Sequence, residues 1–112
     1  MSADWTRSLP AAVTVCDTDG VIVQMNDASA RAFADSGGAS LVGQSLYGCH
    51  GAESAEKIRE LLRTERANVY SIEKGGVRKM IYQAPWYDGG TLGGLVEISF
   101  ELPAEVPHFV RD

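Results

Sequence analysis

The chain has 112 residues, of which 45% are hydrophobic and 22% charged, with twelve glycines and four prolines, a composition that describes one small domain with a single core. Its apolar runs fall far short of the ~20 residues that cross a bilayer, and the opening Met-Ser-Ala-Asp-Trp-Thr-Arg lacks the apolar stretch of a secretory signal, so a cytoplasmic chain without membrane contact is expected. A net charge of −5 argues against a nucleic-acid footprint, and the cysteines, Cys16 and Cys49, read as thiols and not as a disulfide.

Residues 1–9 are mostly polar, with Trp5 and Leu9 spaced for a short amphipathic turn, and Pro10 interrupts any helix there. Val13 and Val15 alternate with Ala12 and Thr14, Asp17-Thr18-Asp19-Gly20 is a turn, and β-branched residues resume at Val21, so residues 12–16 and 21–25 read as a hairpin. Asn26 or Asp27 then caps a short helix rich in alanine, with Phe33 as its bulky residue and Ser36-Gly37-Gly38 as its end. Residues 41–47 read as one helical turn and a loop. Gly48 and Gly51 bracket Cys49-His50.

Residues 53 to about 66 carry the strongest helical pattern, with Ile58, Leu61 and Leu62 as the buried stripe and Arg59, Arg63 and Arg66 on the solvated side. Three strands follow: 69–73, 77–84 and 91–102, joined by Lys74-Gly75-Gly76 and by a turn over residues 85–90. In the last, Val96, Ile98, Phe100 and Leu102 alternate with Glu97, Ser99 and Glu101, and Pro103 stops pairing. The expected fold is α+β, a five-stranded antiparallel sheet with helices on one face. The domain spans residues 10–103, with an extension at 1–9 and a tail at 104–112 in which Phe109 and Val110 are packing anchors.

This order resembles the PAS domain family. The stretch from Ala12 to Asn26 looks like the family's first hairpin with its helix-capping Asn, Leu41-Val42-Gly43-Gln44-Ser45-Leu46 like its hydrophobic-Gly segment, and Gly94-Leu95-Val96-Glu97-Ile98-Ser99 like its last strand. The resemblance covers residues 10 to 102 and implies a sensory or interaction role, without specifying a ligand.

The light-sensing branch of that family carries Gly-x-Asn-Cys-Arg-Phe. Here Gly43 begins Gly-Gln-Ser-Leu-Tyr-Gly, with Leu46 in place of the reactive Cys, so flavin-adduct chemistry is not expected. Some members hold haem through a His near the long helix, and His50, with Cys49 beside it, stands there; the chain lacks the Cys-x-x-Cys-His of covalent attachment. A zinc site is not expected from Cys16, Cys49, His50 and His108, which lack paired spacing. The paired glycines read as turns, since none belongs to a phosphate-binding loop.

Two readings of the sheet faces stand open. Simple alternation turns Val96, Ile98 and Phe100 onto the helices. The family's register near Gly94 implies the reverse: Glu97 and Ser99 face the pocket with Lys79, Ile81 and Gln83, while Met80, Tyr82, Trp86, Val96, Ile98 and Phe100 form an outer apolar face.

The reading adopted is a non-enzymatic PAS-like domain that binds a small ligand or cofactor between sheet and helices, with Asn26, Phe33, Tyr47, Cys49, His50, Ile81 and Ser99 as pocket residues. It forms a homodimer through Trp5, Leu9, Tyr82, Trp86, Val96, Ile98 and Phe100, and acts on a separate or fused signalling protein. Three alternatives accompany it: a haem-based gas or redox sensor using His50 or Cys49, a pure dimerisation module without ligand, and a small thiol or redox enzyme built on Cys49.

Overall fold

The computed structural model describes residues 4–48 and 51–112. Cys49 and His50, on which the haem and thiol readings rest, lie outside the described residues.

Five strands, β1 (Ala12–Asp17), β2 (Ile22–Met25), β3 (Asn68–Lys74), β4 (Val77–Asp88) and β5 (Thr91–Glu101), form one antiparallel sheet in the order β2-β1-β5-β4-β3. The connection from β2 to β3 carries α1 (Asp27–Ala32), α2 (Ala52–Thr64) and 3-10 turns at Ala34–Ser36, Gly38–Leu41 and Leu46–Gly48. Among the described residues no helix is long and apolar enough to cross a membrane.

The first hairpin closes through Asp17, whose Oδ1 accepts hydrogen bonds from the amides of Asp19 and Val21 at 2.9 and 3.0 Å, a side chain standing in for a backbone turn. Asn26 then performs three tasks at once. Its Oδ1 caps α1 by accepting from Ser29 N at 3.0 Å and also accepts from Val13 N at 2.9 Å. Its Nδ2 donates to the carbonyls of Thr6 and Ala11, both at 2.8 Å, so the N-terminal turn is tied to the hairpin and the helix. In that turn Leu9 is half-buried and Trp5 is 71% exposed.

The alanine-rich helix is shorter than expected. It stops at Ala32, Phe33 is its C-cap, and residues 34–36 tighten into a 3-10 turn before Gly37 and Gly38 take positive φ. The long helix α2 buries Ala55, Ile58, Leu61 and Leu62 against the sheet and ends where Glu65 turns left-handed at φ 54°. Cys16 and Leu95 of the sheet meet Ile58, Leu61 and Leu62 there, with Leu46 and Tyr47 packed alongside.

The turn expected over residues 85–90 is mostly strand. β4 runs through Pro85 and Trp86 to Asp88, and only Gly89 and Gly90, both at positive φ, make the reversal. Pro85 is tolerated because β3 stops pairing at Asn68 opposite Gln83, so at Pro85 one side of β4 is already a sheet edge. The neighbouring Gly94 is obligatory: a Cβ there would fall onto the Cys16 carbonyl oxygen, and its φ is +150°. Gly93 likewise leaves room for the Trp86 ring, whose Nε1 donates to Cys16 O at 2.9 Å.

Register decides between the two readings of the faces. Thr14 pairs with Glu97, Cys16 with Leu95, Gln83 with Glu97 and Ile81 with Ser99, so these residues share one face, and Cys16 and Leu95 pack on α2. The simple alternation is overturned. Val96, Ile98 and Phe100, with Val15, Met80 and Tyr82, lie on the face away from the helices, and Tyr82 and Phe100 are each 41% exposed.

Candidate functional site

The inner face is not uniformly apolar. Asn68, Gln83, Glu97 and Thr14 stand directly opposite one another on β3, β4, β5 and β1, a polar row crossing four strands. Asn68 Nδ2 donates to Gln83 Oε1 at 2.9 Å, and Gln83 Nε2 donates to Glu97 Oε1 at 2.9 Å. The direction is dictated by the far end: a carboxylate accepts only, so Gln83 must turn its amine to Glu97 and its carbonyl to Asn68. At the other end the Thr14 and Ser29 hydroxyls bond at 2.6 Å. Gln83, Thr14 and Ser29 are buried, and each finds a polar partner, as burial requires.

Beside this row, Cys16, Ile22, Phe33, Leu41, Leu46, Ile58 and Leu95 complete a mainly apolar chamber of about 30 Å³. That is room for about one water molecule. Ile58, Gln83 and Glu97 form the sill between the chamber and an open groove of about 380 Å³, whose other walls are Glu53, Ser54, Lys57, Asn68 and Tyr70. Among the described residues Glu97 has no ion-pair partner; Lys57, across the groove, sits 3.6 Å from Glu60. Burial, and after it the charge of Glu97, raises the pKa of the Tyr70 hydroxyl. Burial also pushes the Cys16 thiol up, which leaves it a weak nucleophile.

The residues expected to form a pocket are dispersed. Phe33 lines the chamber. Asn26 is buried with both ends of its amide committed to the backbone. Tyr47 packs at the core's edge beneath the Arg59 guanidinium, 4.3 Å from the ring centroid. Ile81 is buried on the inner face, and Ser99 lines a separate groove with Pro10, Ala12, Ala28, Ala32 and Lys79. Cys49 and His50 lie outside the described residues. The chamber walls from β1, Thr14 and Cys16, were not among the expected residues, nor were Ile22, Leu41 and Leu95. Gln83 and Glu97 carried a signal, polar residues alternating with Tyr82, Ala84, Val96 and Ile98.

A haem or flavin does not fit the chamber as packed, since enclosed ligand sites run to ~300–1,000 Å³. Among the described residues no group of three His, Cys, Asp or Glu is placed to hold a metal ion.

The family model described as PAS fold matches residues 6–102 of the chain. No curated protein matches it in sequence. A sensory box sensor histidine kinase from Vibrio cholerae superposes with TM-score 0.63 at 17% identity, over 85% of this chain and 84% of that one. The PAS domain of BvgS from Bordetella pertussis gives 0.60 at 20%, over 88% and 81%. The Aer2 receptor of Vibrio cholerae, described as a dual PAS-haem oxygen sensor, gives 0.61 at 16%, over 83% and 95%.

Proposed function

The chain belongs to the PAS fold family, and from that premise we propose that it is a non-enzymatic sensory module that binds a small ligand between sheet and α2 and pairs with a second copy through the opposite sheet face. One observation carries the ligand half: a hydrogen-bonded polar row ends in Glu97 at the sill between an apolar chamber and an open groove. Apolar walls with a few fixed polar groups are what a small-molecule site requires. The exposed apolar outer face supports the dimer half. Ligand and dimer would be coupled through β5, which carries Glu97 and Leu95 on one face and Val96 and Ile98 on the other, provided the ligand favours one arrangement of the sheet. Output would pass to a separate or fused signalling protein.

The haem reading uses His50 or Cys49 and would require Phe33, Leu41 or Leu46 to move aside. The kinship in fold with a haem PAS sensor supports it no further than the fold.

The test is a chemical-shift screen of small molecules against the isotope-labelled chain, with added ferric haem as one member. Binding in the proposed site moves the amides of Cys16, Ile58, Gln83 and Glu97 together, and Ile58→Trp, which fills the sill, abolishes the response. A screen that leaves these amides still while the protein sediments as a dimer would establish the pure dimerisation module instead. A Soret band saturating at one haem per chain and lost in His50→Ala would establish the haem sensor.

A further inference from the structure

Resting on the pocket just proposed, we infer that its ligand is a small organic cation: a protonated amine on a short apolar body, the amine seated at Glu97 and the body lying in the groove beside Ile58 and Tyr70. The chemistry of the groove points to this class. Glu97 is half-buried at the sill, has one oxygen engaged by Gln83 Nε2, and has no ion-pair partner among the described residues. A carboxylate offers about four acceptor positions, so most of its capacity is unspent. The neighbouring amides serve an anion poorly, because Gln83 and Asn68 each have one of two N–H donors engaged, at Glu97 and at Gln83, and what they have left stands beside a carboxylate that repels an anion.

Charge agrees. The groove is walled by the carboxylates of Glu53 and Glu97 against one ammonium, Lys57, which sits 3.6 Å from Glu60. The whole chain carries −5, so its field draws cations and repels anions. Tyr70 on the same wall supplies an aromatic face, and an ammonium beside both a carboxylate and a ring is held by both. A hard divalent cation is a poor candidate, since it asks for six or so oxygen ligands and, among the described residues, no group of three His, Cys, Asp or Glu is placed to hold one. The body is apolar because the groove beside Glu97 is lined by Ile58 and Tyr70, and its volume of about 380 Å³ admits a phenyl ring that the chamber of about 30 Å³ does not.

Three probes with the same phenyl body and different heads separate this inference from the pocket reading: 2-phenylethylammonium, 2-phenylethanol and 3-phenylpropionate, titrated into the full chain and followed by calorimetry and amide shifts. The ammonium is expected to bind roughly 10- to 100-fold more tightly than the alcohol, the worth of a charged hydrogen bond. Glu97→Gln, which keeps an acceptor for Gln83, should erase that advantage and bring the ammonium to the affinity of the alcohol in the same variant. Raising salt should weaken the ammonium alone, a readout that needs no variant. Alcohol or propionate binding as tightly as the ammonium would overturn the cation assignment while sustaining the pocket, and so would an ammonium advantage that survives Glu97→Gln in a folded protein. Absence of binding by all three in the wild-type chain would overturn the pocket reading together with it.

Discussion

Asn26 holds more of the fold than its size suggests, because its amide joins β1, α1 and the N-terminal turn with four hydrogen bonds. Asn26→Ala removes a helix cap worth ~0.5–2 kcal/mol and strands the buried Val13 amide, so a total loss of about 2–4 kcal/mol is expected in urea unfolding. Asn26→Asp keeps the acceptor for Ser29 and Val13 but loses both donors, and should fall between the two. Cys16 makes a second residue-scale prediction. It is 1% exposed, and burial raises its pKa above the ordinary 9.0, with the charges of Asp17 and Glu97 adding to the rise. The folded chain therefore holds this proton more tightly than the unfolded one. The resulting stability is complete below the unfolded pKa and is lost as pH climbs from there through the folded value. Between about pH 8 and pH 10 the urea midpoint of the wild-type chain should drop more steeply than that of Cys16→Ala. Parallel slopes would remove the thiol as the cause.

At the scale of elements, β5 and α2 differ in how they are held. β5 is paired on both sides, with β1 and β4, and its alternate residues contribute to both faces. α2 is attached by one stripe, Ala55, Ile58, Leu61 and Leu62, and its opposite side is exposed. Hydrogen exchange should therefore release the α2 amides through a partial opening, with protection at least ~tenfold below that of Val96 and Ile98 in β5. Leu61→Ala, at a site 2% exposed, should widen that gap while costing ~2–5 kcal/mol overall. Equal protection in α2 and β5 would mean that the helix opens only with the whole domain. These same elements were largely legible in the sequence, because the alternation in β5 and the stripe of α2 are local periodicities. The extension of β4 through Pro85 was not: a proline reads as a breaker unless the strand beside it has already ended, and where β3 ends is a matter of register. The site was legible in part for a similar reason. Glu97 and Gln83 stand out as polar residues between apolar ones, whereas Thr14 and Cys16, small and neither strongly polar nor bulky, give no hint of which face they line until β1 is paired with β5.

At the scale of the molecule, the accessible surface is 7740 Å², against about 6,000 Å² for a globular monomer of this mass. The tail contributes, because Phe109 and Val110, expected as packing anchors, are with Val106 more than half exposed, and so does the outer sheet face with Tyr82, Phe100 and Val69. Apolar surface of this kind favours association at ~25 cal/mol per Å² buried, so a self-paired sheet face would lower the free energy of the chain without any new chemistry. Electrostatics oppose it, because two chains of −5 each repel. The two terms respond differently to salt, and that gives the dimer a distinctive behaviour. Sedimentation equilibrium should show association strengthening as salt rises from low concentration, because screening weakens the repulsion and leaves apolar burial intact. Replacing Tyr82 and Phe100 by Glu places two further carboxylates on the face and should weaken the dimer by at least ~100-fold. The melting temperature extrapolated to the monomer should change little, because both side chains are already 41% exposed there. A dimer that tolerates the double substitution pairs through some other surface. One that weakens as salt rises is held by ion pairs and not by this face.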